Sequence, residues 1–505
     1  MHRLTLNIPK KLLVKKTFIL FINICLCINL SILPVQSKEI ELPDMGASSS
    51  IALTPHMEDQ IGREIATQIR NSHQLIDDLE INEYLQNLGY SLVANSDDAY
   101  QNFQFFLIAS KQINAFATPG GVIAVYSGLF LTTESESELA SVLGHEIAHV
   151  TQRHLARSFE KSSQLSLPIM AGMLAGILLG AAGGAGGEIG AAAAVGLSAA
   201  GQQAQINYTR ANEKEADRIG IRYLSLSGYD PSGMPGFFQK LERKNRYAGK
   251  SYPEFLRTHP VTINRIAEAT QRAEQYKRKM RAIKNPMSYK LMKAKLVVLT
   301  AGNTDRAVSY FAAQIKKNPL ELHPELYYGY GLALLKKKNF SKAIEVLNKL
   351  YLSAPQNTSY SIALANAYIA SDQKTLILKG LKLFSDALKN NPYNLVLVAD
   401  YAFALIQTGQ IKKSIQILEN YNKDNIKHPA IYKLLSRALG KDKKLVQAHI
   451  AESEYYYLNG MLSSAIKQLE IAKKIAPKND FYTQSRLGAR MQAIEDEKEL
   501  YKLDM

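Results

Sequence analysis

The sequence predicts a mainly α protein in two parts, an α+β part with a small sheet and, after it, an α-solenoid. Three observations predict it. The chain has 505 residues, too many for one compact core, since single cores stop growing near ~250–300 residues. Only two short runs, 103–108 and 121–125, read as strands; they are apolar or β-branched and bounded by Gly and Pro. From 291 to about 490 the pattern is helical throughout and contains a repeat.

The composition is ordinary for a globular chain, with 46% hydrophobic and 21% charged residues. That excludes a disordered, collagenous or polytopic membrane protein. The formal net charge is +16, which suits an acidic partner or an anionic membrane surface without naming one. Nucleic acid is not an expected partner, because the basic residues are scattered along helix faces rather than gathered with aromatics. The 277–284 cluster reads as a solvated helix end.

The N-terminus reads as a targeting segment. Arg3, Lys10, Lys11, Lys15 and Lys16 precede an apolar run over 18–35, and Val35-Gln36-Ser37 offers small residues for cleavage. This is the pattern of a secretory signal peptide over 1–37, with an uncleaved membrane anchor as the alternative. Ile24 before Cys25 argues against a lipoprotein site. The chain's 2 cysteines, Cys25 and Cys27, both lie inside the run. Cleavage leaves a cysteine-free chain of net charge +11, having removed five basic residues and no acid; that suits an oxidising periplasm.

A short arm (38–56) comes next, and helical patterns start near Glu58. Helices are expected over 137–157 and about 202–225, with a loop punctuated by Pro231, Gly233, Pro235 and Gly236. Between the two helices, residues 165–206 are rich in Ala and Gly. Gly172, Gly176, Gly180 and Gly184 recur every four residues, as in a packing face of membrane helices. A second crossing over 189–200 would be shorter than the ~20 residues a span needs. The preferred expectation is a mobile loop or small helical hairpin, acting as a lid or touching the membrane surface.

In the helical last third, Ala307 precedes Pro319 by twelve residues, and the spacing recurs in Ala343/Pro355, Gly380/Pro392 and Ala465/Pro477. A small residue lets two helices approach, and the proline stops the second. The pattern resembles tetratricopeptide repeats, with a period of about 34 residues. One unit lacks the proline, and an extra helix is expected over 428–444. Such an α-solenoid of tetratricopeptide repeats, here over 287–490 with a tail over 491–505, leaves a concave face for partners.

The segment His145-Glu146-Ile147-Ala148-His149 carries the strongest chemical signal. Helical positions four apart differ by only about 40° around the axis, so both imidazoles can bind one metal ion. Leu143, Ile147 and Val150 can anchor the opposite side. Glu146 stands beside the pair, placed to take a proton from water activated by zinc. Two imidazoles leave zinc under-coordinated. A histidine ten residues after His145 is absent, since Leu155 stands there. His154 is one place short and reads as a structural or outer-layer histidine. Glu213 and Asp217 in Arg210-Ala211-Asn212-Glu213-Lys214-Glu215-Ala216-Asp217 are one turn apart. One carboxylate can bind the metal while the other fixes an imidazole tautomer. Glu215 points about 200° away from Glu213.

These segments, with Arg210, Ala216 and Gly220 around the second, resemble the M48 zinc metallopeptidases. Asn114-Ala115-Phe116-Ala117-Thr118-Pro119-Gly120-Gly121 resembles the strand and turn lining the substrate cleft of that family. Leu42-Pro43-Asp44-Met45-Gly46 and Thr258-His259-Pro260 resemble segments of its periplasmic members that carry tetratricopeptide repeats. The resemblance spans nearly the whole chain after the targeting segment. It implies a zincin-like metallopeptidase domain over 57–286, with one zinc ion per chain held by His145, His149 and Glu213. It also implies Glu146 as general base, Asp217 as the orienter of a ligand histidine, and His259 over the metal as an extra, displaceable ligand. Asn114, Ala115, Phe116 and Ala117 would form an exposed sheet edge that binds extended substrate by its main chain. The implied role is a periplasmic zinc endopeptidase acting on unfolded or stalled outer-membrane proteins. Its repeats would bind clients or the outer-membrane β-barrel assembly machinery. The alternative is a repeat-based chaperone or adaptor with a latent zinc site.

Overall fold

The computed structural model describes residues 53–72, 74–98, 102–161, 210–247, 253–277, 287–424 and 427–503. The expected signal peptide, most of the N-terminal arm and the Gly/Ala-rich stretch over 165–206 lie outside the described residues. So do the Leu42–Gly46 motif and most of the 277–284 basic cluster. The fold is the expected one, mainly α with a small sheet and then helical repeats. No described helix is long and apolar enough to cross a membrane.

The first part opens with α1 (Pro55–Asn71) and α2 (Leu79–Val93). Each start is fixed by a side-chain cap: Thr54 accepts from the Met57 N–H and Asp78 from the Ile81 N–H. A three-stranded sheet follows, β1 (Gln104–Ile108), β2 (Ala115–Thr118) and β3 (Val122–Tyr126), in the order β1-β3-β2. β1 runs parallel to β3 and β2 antiparallel to it. The turn between β2 and β3 needs glycine. Gly120 has φ +75°, and a Cβ there would stand 2.4 Å from the Glu58 carbonyl oxygen of α1.

Then come α3 (Ser127–Thr132), α4 (Glu136–Thr151), α5 (His154–Lys161), α6 (Arg210–Leu226), α7 (Gly233–Tyr247), α8 (Glu254–Thr258) and α9 (Ile263–Lys277). The single helix expected over 137–157 is in fact two. Arg153 adopts φ 50° and breaks the line between α4 and α5. Its guanidinium is held by the Glu58 carboxylate and the Leu53 carbonyl, long-range contacts that no local pattern reveals.

A second correction concerns the sheet edge. β2 is an edge strand, but it is not exposed: Asn114 is 6% accessible, Phe116 9%, and Ala115 and Ala117 less. Phe116 packs among Ile61, Ile65 and Tyr126, so the neighbouring α1 covers what an isolated hairpin would leave open.

Twelve described helices follow, from α10 (Met287–Thr300) to α21 (Phe481–Leu503), and form the helical second part. The small residues of the repeat, Ala307, Ala343 and Ala465, are buried at helix contacts. Lys338, Asp372, Gly409, Lys443 and Gly460 take positive φ in the turns between helices. The extra helix expected over 428–444 is α18 (Pro429–Lys441). Residues 491–503 are not a tail but the continuation of α21.

The two parts share a core. Tyr289, Leu291, Met292 and Tyr328 of the repeats pack in one cluster with Leu88, Phe130 and Leu139 of the first part. Tyr289 donates a hydrogen bond to the Thr133 carbonyl at 2.8 Å. Lys295 pairs with Asp78 at 2.8 Å and Glu80 at 2.7 Å. Asp400, reached by the Asn366 amide at 3.4 Å, belongs to the same seam. Burial pushes its carboxyl up to about 6; Glu80 and Asp78 add to the rise and Lys295 opposes it. A carboxyl with a raised folded-state pKa costs stability when ionised, and the cost fades as pH falls through that pKa. Asp400→Asn is therefore expected to raise stability at pH 7.5 by on the order of 1 kcal/mol, with the gain closing near pH 4. Thermal midpoints at the two pH values check this; an equal gain at both would remove the titration as its cause.

Candidate metal centre

α4 carries the histidine pair and is buried on all sides from Leu139 to Val150. Ser135 caps it by accepting from the Glu138 N–H at 3.2 Å, and Glu136 and Glu138 complement its N-terminal dipole. α6 packs against it through two glycines. A Cβ on Gly220 would stand 3.0 Å from the His145 amide nitrogen, and one on Gly144 3.2 Å from the Gly220 carbonyl oxygen. This close approach brings Glu213 and Asp217 of α6 up to the imidazoles of α4. His259 follows α8, with its N–H donated to the Phe255 carbonyl at 2.8 Å and its ring against the Phe255 ring.

Four side chains converge. His145, His149, Glu213 and His259 present ligand atoms that all lie within 4.8 Å of one another. Their exposures are 1%, 2%, 2% and 1%. His145 Nε2 is 3.0 Å from His149 Nε2 and 3.4 Å from His259 Nδ1. Glu213 Oε1 is 3.0 Å from His259 Nδ1 and 3.4 Å from His149 Nε2. Imidazole nitrogens facing each other this closely out of water need a shared proton or a cation between them. The donor set, nitrogens with one carboxylate oxygen on buried elements, fits zinc. Burial holds the His149 pKa well below its usual value, so the ring stays neutral and free to ligate. Burial alone would raise Glu213. The neighbouring His259 and the hydrogen bonds of His149 and His259 outweigh it and hold the carboxyl well below the usual range.

The next layer is charged. His145 Nδ1 lies 3.0 Å from Asp217 Oδ1. Asp217 accepts two hydrogen bonds from Arg265, at 2.7 Å from Nε and 2.8 Å from Nη2. The same guanidinium pairs with Glu213 Oε2 at 2.7 Å and donates to the Pro260 carbonyl at 2.8 Å. It lies over the Phe238 ring, 3% exposed. Arg265 thus compensates two buried carboxylates and fastens the turn after His259. Sequence reasoning missed it. An arginine on a helix rich in polar residues reads as solvated, and the available signal was its position six residues after His259.

Glu146 is completely buried, with the Ala117 backbone beside its carboxylate. His259 Nε2 stands 3.7 Å from Oε1. Burial raises the Glu146 pKa, with His259 and His145 opposing. That moves it toward the range a general base needs at neutral pH. Beside His149 opens a cavity of about 400 Å³. Ala117, Thr118, Pro119 and Gly120 line it, with Val150 and Leu155. Of the sequence-predicted substrate residues, Ala117 lines this cavity; Asn114, Ala115 and Phe116 do not.

With this geometry in place, comparison with known proteins gives a family. Residues 80–273 match the model of peptidase family M48. A Vibrio cholerae protein assigned as a β-barrel assembly-enhancing protease is 39% identical over 481 residues, 95% of this chain and 97% of the relative. The chain belongs to peptidase family M48. Further relatives are similar: the β-barrel assembly-enhancing protease of Escherichia coli strain K12 is 33% identical over 91% of this chain and 92% of its own. The mitochondrial metalloendopeptidase OMA1 of Arabidopsis thaliana is 28% identical over 37% of this chain and 35% of its own. Residues 298–373 and 379–438 match a tetratricopeptide-repeat model. The chain is thus an M48 metallopeptidase that also carries tetratricopeptide repeats.

Proposed function

We propose that this M48 protein is a periplasmic zinc endopeptidase that cleaves unfolded or stalled outer-membrane proteins. Its repeats would hold the client or dock on the β-barrel assembly machinery. The buried convergence of His145, His149, Glu213 and His259 beside a completely buried Glu146 carries the reading. The proposed domains are a signal peptide over 1–37, an arm over 38–56, the metallopeptidase over 57–286 and repeats from 287. The substrate class is inferred from the relatives named β-barrel assembly-enhancing proteases, and the compartment from the expected signal peptide.

One zinc ion per chain would be held by His145, His149 and Glu213. When bound, zinc supplies Lewis acidity, which polarises a peptide carbonyl and acidifies water. The chain's own residues do the rest. Asp217, facing His145 Nδ1, holds that ring with Nε2 free. Arg265 keeps Glu213 and Asp217 from repelling each other. Glu146 takes the proton of the attacking water as the C–O bond forms. It then passes the proton to the amide nitrogen as the C–N bond breaks, ending ionised again. The cavity beside His149 receives the substrate, with the turn after β2 as its wall. His259 would serve as an extra, displaceable ligand, which would keep the resting enzyme latent until the turn at 258–260 moves.

Purified chain 38–505 with zinc is expected to fragment an outer-membrane β-barrel protein presented unfolded, to spare the same protein folded in micelles, and to stop on chelation. Intact unfolded substrate, or fragmentation indifferent to chelator, would overturn the proposal.

A further inference from the structure

We propose that His154 is a positioning residue that couples Glu215 to His149 and fixes the His149 tautomer. This rests on the reading that the group around Glu213 holds zinc. His154 is 0% exposed. Its Nδ1 lies 2.8 Å from His149 Nδ1, and its Nε2 lies 3.0 Å from Glu215 Oε2. Glu215 is anchored in turn by Arg157 Nη2 at 2.9 Å.

One proton assignment satisfies both contacts with neutral rings. His149 Nε2 faces His145, Glu213 and His259 and must be bare to ligate. Its proton then sits on Nδ1 and is donated to His154 Nδ1. His154, having accepted there, carries its own proton on Nε2 and donates it to Glu215. The two ligand histidines are thus oriented differently. His145 meets a carboxylate directly, whereas His149 reaches one through a second imidazole. A metal-ligating histidine usually donates its other nitrogen to a carboxylate, carbonyl or water; here another histidine stands between.

The break at Arg153 makes the contact. In an unbroken α4, residue 154 would lie about 140° around the axis from His149, at about 100° per residue. The positive φ of Arg153 restarts the chain as α5 and returns His154 to the His149 side.

The test uses the zinc-loaded chain 38–505 and reads zinc affinity by competition with a chromophoric chelator. An asparagine at 154 can place its amide oxygen near the former Nδ1, and a glutamine can place its amide near the former Nε2. His154→Gln keeps a partner for Glu215 and strips His149 of its acceptor; zinc affinity is expected to fall about 10–100-fold. His154→Asn keeps the acceptor and most of the affinity. Glu215→Gln, at a half-buried site, weakens binding less than His154→Gln. The ¹⁵N shift of His149 in histidine-labelled wild type reports a protonated Nδ1. Equal losses in Asn and Gln variants of unchanged melting midpoint, or no loss in either, overturn the relay. If the wild type itself takes up no zinc, the metal reading falls and the relay with it.

Discussion

Glu146→Gln abolishes peptide hydrolysis and leaves zinc uptake intact. The side chains are nearly isosteric, so the packing around this completely buried position is kept. What disappears is the basic carboxylate 3.7 Å from His259 Nε2. Removing general-base assistance costs typically about 10²–10⁴-fold. The substitution also removes a completely buried carboxyl whose ionised form burial disfavours, so the melting midpoint is expected to hold or rise. Turnover of an unfolded barrel protein, with zinc content as control, decides this. Turnover within a few-fold of wild type would assign the proton transfer to another group.

Glu213→Ala removes zinc. Glu213 is the only carboxylate of the four converging groups. Its loss leaves three imidazoles facing one another in a space closed to water. Affinity is expected to drop by more than the about 10–100-fold that loss of an outer partner costs. Stability suffers too, since one end of the Arg265 network is gone. Breaking a buried pair costs up to about 3–5 kcal/mol, reduced here because Asp217 keeps both of its hydrogen bonds from the guanidinium. Glu213→Gln keeps the shape and loses the charge, and it separates packing from coordination. It should also lose zinc, with a smaller fall in melting midpoint. Full zinc content in both variants would remove Glu213 from the ligand set.

Legibility in the sequence followed how local each feature is. The 145/149 and 213/217 pairs were readable because a helix dictates which positions share a face. Their meeting depends on Gly144 and Gly220, whose missing side chains let α4 and α6 touch. Three features were not readable because distant residues create them. Arg265 is a core residue only because two carboxylates of α6 wait for it. The break at Arg153, which brings His154 to His149, depends on Glu58 and Leu53. The cover over β2 comes from α1, some fifty residues earlier in the chain. The seam was hidden for a related reason: Tyr289 and Tyr328 satisfy a repeat pattern and a shared core alike.

The central claim is that this chain holds one catalytic metal ion in a preformed buried site. Elemental analysis of chain 38–505 purified without chelator tests it most directly. The predicted result is about one zinc per chain, removed by exhaustive chelation and restored on adding zinc. No zinc as purified, and none taken up on addition, would contradict it.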